Sequence, residues 1–94
     1  MEKYLVVLEK SSTGFSAFSP DAPGCITVGD TVESTIEHMR EALEIYIEEM
    51  AESGMGLPKG KGVEYHIREG LLKEGSLSNE YLLTQIEMEL PEMA

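Results

Sequence analysis

At 94 residues the chain is one domain's worth of sequence, and a domain this small buries only about 60–65% of the surface its unfolded form exposes, so self-association would add to its stability. Eighteen acidic residues against seven basic ones give a formal net charge of -11 and a sequence pI near 4.4. That balance argues against a nucleic-acid-binding face and against anionic membrane surfaces; it suits either a basic protein partner or plain solubility.

Cys25 is the single cysteine, so no internal disulfide forms, and nothing near it has metal-ligand spacing. Leu5–Leu8 is a four-residue apolar run that stops at Glu9, too short for a signal peptide or a membrane span. A cytoplasmic address is expected.

Tyr4–Glu9 is rich in β-formers and apolar at both parities, which predicts a strand buried on both faces and therefore central in its sheet. Ser11–Gly14 is a turn, and Phe15–Phe18 returns as the second arm of a hairpin, with Phe15 and Ala17 on one face and Ser16 and Phe18 on the other. Pro20-Asp21-Ala22-Pro23-Gly24 is a stiff loop, because two prolines fix the backbone. Cys25–Val28 reads as a third strand ended by Gly29.

Helix signals follow at once. Thr31 is a cap candidate, and Asp30 with Glu33 offers a capping box one register earlier. Val32, Ile36, Met39, Leu43, Tyr46, Ile47 and Met50 then recur at three- and four-residue steps as one apolar stripe, and Gly54 supplies the left-handed end. Leu57–Gly62 is expected to be a flexible connector. Val63, Ile67 and Leu71 fit a short helix, although Val63–Ile67 fits a strand as well. Thr84–Leu90 alternates Ile86, Met88 and Leu90 against Gln85, Glu87 and Glu89, a half-buried closing strand before Pro91.

The expected fold is α+β: three antiparallel strands, one long helix across one face, and a closing strand, in a two-layer sandwich spanning 1–94 as one domain, with 57–83 as a connector or insertion.

No catalytic constellation emerges. Cys25 lies in an apolar strand with nothing to lower its pKa, so a structural thiol is expected. His38 sits at the border of the helix stripe. His66 and Glu69 are spaced as two metal ligands on a helix, but no third is at hand, so neither metal nor cofactor is expected. Asp21 and Asp30 flank the third strand, each with a simpler task in a turn or at a helix start. The helix's outer face is the more informative feature. Glu33, Glu37, Glu41, Glu44, Glu48, Glu49 and Glu52 accompany a lone Arg40, and their i, i+4 like-charge pairs each cost roughly 0.2–0.5 kcal/mol. A helix that tolerates this repeatedly presents a field to something basic, unless the charge is a screened, solvated face.

Gly14-Phe15, Phe18, Pro20-Asp21-Ala22-Pro23-Gly24-Cys25, Gly29-Asp30-Thr31 and Glu41-Ala42-Leu43 in this order resemble the HicB antitoxin family over Tyr4 to about Gly54. The resemblance implies a partly RNase-H-like α+β domain without nuclease activity. Its implied role is to bind and block a small basic HicA-type toxin that cleaves messenger RNA, often as a dimer or larger homo-oligomer. Glu37, Glu41, Glu44 and Glu48 are the expected toxin-facing residues. HicB antitoxins usually carry a C-terminal DNA-binding domain; here only Pro91-Glu92-Met93-Ala94 follow the last expected strand, so operator binding is not expected. The alternative reading is a stand-alone homo-oligomeric binding or structural module with no toxin partner.

Overall fold

In the computed structural model, which describes residues 1–77 and 80–91, the order is β1 (Glu2–Lys10), β2 (Phe15–Phe18), β3 (Ile26–Gly29), α1 (Val32–Ser53), α2 (Val63–Arg68) and β4 (Tyr81–Met88). The three residues expected to follow the closing strand and Pro91 lie outside the described residues. The four strands form one antiparallel sheet in the order β3-β2-β1-β4. β1 is thus interior, and Tyr4 to Leu8 are all buried, as apolar residues at both parities require.

One face of the sheet meets α1. Tyr4, Val6 and Leu8 of β1, Ala17 of β2, and Ile86 and Met88 of β4 pack with Met39, Leu43 and Ile47 of the helix. Those helix residues recur every four positions, which keeps them on one side of 3.6-residue turns. Val32, Ile36 and Tyr46 border the cluster. Truncating a residue such as Leu43, fully buried here, costs about 2–5 kcal/mol in cores of this kind.

The helix start is decided in favour of Thr31. Its hydroxyl accepts from Ser34 N (3.0 Å), and the Ser34 hydroxyl in turn accepts from Thr31 N (3.1 Å), a reciprocal box that leaves Asp30 and Glu33 out. Gly29 is required just before it, because a Cβ there would stand 2.5 Å from Thr35 Oγ1. Gly54 closes the helix in the left-handed region with φ 72.

Strand ends follow their partners rather than local composition. Cys25 N donates to Ala22 O, which keeps Cys25 in the turn and starts β3 at Ile26, one residue later than the sequence suggests. β4 begins at Tyr81 and ends at Met88 because the long β1 supplies partners from Glu9 to Glu2. Leu90 therefore lies beyond the strand.

The stretch 57–62, expected to be flexible, is pinned. The Tyr4 hydroxyl donates to Pro58 O (2.8 Å), Lys61 N donates to Asp21 Oδ1 (3.1 Å), and Gly60 lies against the Lys3 carbonyl with no room for a side chain. α2 is helical, yet its buried residue is His66 rather than Ile67, which is exposed.

Candidate partner-binding surface

Two groups of carboxylates define the molecule. The first is a single buried one. β2 ends at Phe18, so among the described residues the first half of β1 has no strand on that side. Ser19 and Asp21 take the strand's place: the Ser19 hydroxyl donates to Leu5 O (2.7 Å) and Asp21 Oδ2 accepts from Leu5 N (2.8 Å). Asp21 Oδ1 accepts from Lys61 N and from His66 Nε2–H, the latter at 2.6 Å. The Asp21 side chain has no exposed surface. One carboxylate thereby ties the Pro-Asp loop, the central strand, the connector and α2. Its stiff proline setting was the one signal in the sequence that pointed to it. His66 is committed to this pair and Glu69 is exposed. Among the described residues no group of three or more His, Cys, Asp or Glu is placed to hold a metal. Asp30 is exposed and apart from Asp21, so the two do not form an acid pair.

Burial also shapes two weaker acids. Loss of solvation, then the charges of Glu2 and Asp21, push the Tyr4 phenol up from 10.0 to about 12. Loss of solvation pushes the Cys25 thiol up from 9.0, away from the reactive thiolate.

The second group is exposed. Glu37, Glu41, Glu44 and Glu48 all face solvent, and helical geometry places them within about 60° of one another on one flank of α1. This flank points toward the end of β4: Arg40 Nη1 donates to Glu87 O (3.4 Å), and Glu44 and Glu48 border a groove whose other wall is Met88–Pro91. Among the described residues none of the four glutamate side chains has a hydrogen bond or ion pair. Arg40, the one basic residue of the flank, is directed to a backbone carbonyl instead.

The opposite flank differs. His38 Nδ1–H donates to Val28 O (2.7 Å), and Ile45 stands exposed beside the edge strand β3, whose Ile26 and Val28 are 68% and 67% exposed. Their exposure could not be read from a short apolar run, because the sequence does not say which strand is the edge. Among the described residues no helix is long and apolar enough to cross a membrane.

A family described as "HicB_like antitoxin of bacterial toxin-antitoxin system" matches residues 4–87. The chain belongs to the HicB-like antitoxin family. The match extends well past the half carrying the sequence motifs and takes in α2 and nearly all of β4. A 14.9 kDa uncharacterized protein from the rep-hol intergenic region of Haemophilus phage HP1 is 30% identical over 87 residues, 93% of this chain and 61% of the phage protein. The chain thus spans less than two thirds of that relative. A UPF0150 protein of Synechocystis is 42% identical over 57 residues, 60% of this chain and 72% of its own. Among solved structures, a chain of the HicA3 and HicB3 toxin-antitoxin complex superposes with a TM-score of 0.71 at 27% identity, covering 93% of this chain and 98% of that one. The N-terminal domain of Burkholderia pseudomallei antitoxin HicB superposes with a TM-score of 0.72 at 20% identity, covering 94% of this chain and 99% of that one, a likeness of fold. The HicB-like α+β fold expected from the sequence is the one observed.

Proposed function

We propose that this HicB-like protein is a non-enzymatic antitoxin that binds and neutralises a small basic HicA-type toxin in the cytoplasm. The observation that carries the reading is the flank of α1: four exposed carboxylates, without a partner among the described residues, on one side of a helix in a chain of net charge -11. Such a surface raises the encounter rate with a basic protein and orients it before contact. The HicA3–HicB3 complex supports it further, since the matched chain there is covered almost completely by this one. Glu37, Glu41, Glu44 and Glu48 are the toxin-facing residues of the proposal.

The exposed Ile26, Val28 and Ile45 around the β3 edge favour self-association into a dimer or larger homo-oligomer. This is the feature on which a stand-alone oligomeric module would rest, and it is compatible with an antitoxin whose acidic flank stays free.

The test is inhibition of messenger-RNA cleavage by a HicA-type toxin taken from the same genome as this chain. Stoichiometric inhibition that weakens as salt rises is the expected result. Undiminished cleavage at saturating antitoxin contradicts the proposal and leaves the stand-alone oligomer.

A further inference from the structure

The groove between the second half of α1 and the chain leaving β4 encloses about 470 Å³. Its floor is apolar: Ile47 and Met88 belong to the core, Leu90 packs against that core, and Pro91 adds to the lining. Its rim is acidic, formed by Glu44 and Glu48 from the helix and Glu89 from the chain beyond β4, all exposed. Among the described residues none of the three forms an ion pair. The hollow on the opposite flank, lined by Ile26, Ala42, Ile45 and Tyr46, has only Glu49 for charge. The two hollows therefore call for different occupants.

An apolar trench bordered by three carboxylates matches one kind of side chain. The methylene stem of lysine or arginine lies along apolar surface while its cation stays among charges and water. An aliphatic side chain satisfies only the floor, and a carboxylate is repelled by the rim. We infer that this groove seats a lysine or arginine side chain of the toxin and anchors the complex there, an inference that rests on the antitoxin reading. It divides the acidic flank by role. Glu44 and Glu48, joined by Glu89, hold the cation against an apolar floor, whereas Glu37 and Glu41 act at longer range. Arginine suits the site better than lysine, because its planar, multi-donor head can address more than one carboxylate at once.

The experiment compares two triple variants that remove the same charge from exposed positions, Glu44→Gln/Glu48→Gln/Glu89→Gln and Glu33→Gln/Glu49→Gln/Glu52→Gln. The probe is a catalytically silenced HicA-type toxin taken from the same genome as this chain, and thermal melting checks that both variants fold. The groove triple is expected to weaken toxin affinity by about tenfold or more, mostly through faster dissociation, while the other triple changes it by less than about threefold, through association. Equal losses in the two triples, or no loss in the groove triple, overturn the groove and leave only a diffuse field, with the antitoxin reading intact. Failure of the wild-type chain to bind the toxin overturns both.

Discussion

Asp21 has no exposed side-chain surface and accepts from a strand amide, a connector amide and an imidazole, whereas Glu37, Glu41, Glu44 and Glu48 stand in solvent without a partner among the described residues. The same functional group thus does opposite things in two regions. Around Asp21 every donor is met, which offsets the cost of burying the carboxylate; removing the acceptor strands donors already taken from water. Along α1 the like-charged neighbours oppose the helix slightly and gain nothing within the described chain. The carboxylate satisfied inside the molecule ties the fold together, and the carboxylates on its surface are those we propose a partner meets.

The contrast breaks most readily at Asp21. Asp21→Ala is expected to destabilise the chain by about 3–5 kcal/mol, a large part of the stability of a domain this size, read as a drop in the urea midpoint. A loss below about 1 kcal/mol would mean the donors find other acceptors and the hub is incidental. His66→Ala removes one of the three donors and leaves the two backbone bonds, so a smaller cost of about 1–3 kcal/mol is expected. Hydrogen exchange then rises in 63–70 more than in α1; uniform loss of protection would remove the local role assigned to the pair.

Replacing the α1 flank sharpens the other side. With Glu37, Glu41, Glu44 and Glu48 all changed to Gln, thermal stability is expected to hold or rise slightly, because two i, i+4 repulsions within the set are lost at roughly 0.2–0.5 kcal/mol each. A clear fall in melting temperature would show that these residues serve the fold.

The smallest effects concern titration. Tyr4 keeps its proton to about pH 12 in the folded chain, while the unfolded phenol releases it near 10.0. Its contribution to stability is therefore full below pH 10 and is lost as pH rises toward 12. Ultraviolet titration should show one of the four tyrosines ionising last and together with unfolding. Cys25 should react with a thiol reagent more slowly in the folded chain than in urea at the same mildly alkaline pH, since burial holds it protonated.

The elements governed by local pattern were legible in the sequence: β1 as a central strand, the β1–β2 hairpin, α1 with its apolar stripe, Thr31 as a cap candidate, and the closing strand. What the sequence concealed depends on distant partners. In α2 the apolar spacing pointed to Val63, Ile67 and Leu71, yet the buried side chain is His66, drawn in by an aspartate 45 residues earlier. The connector 57–62 reads as loose because Gly and Lys dominate it, while its order comes from Tyr4 and Asp21. The four α1 glutamates were visible as a set because helical spacing is local. Glu89 was not, since only the pairing of β4 with β1 brings it beside Glu44 and Glu48.

The most direct test of the claim that the α1 flank exists for a basic partner is a calorimetric titration of the silenced HicA-type toxin into the wild-type chain and into the Glu37→Gln/Glu41→Gln/Glu44→Gln/Glu48→Gln variant, at low and at near-physiological salt. Wild-type affinity is expected to fall as salt rises, and the variant to bind at least about tenfold more weakly at low salt with a flatter salt dependence. Equal affinities with equal salt dependence would contradict that claim.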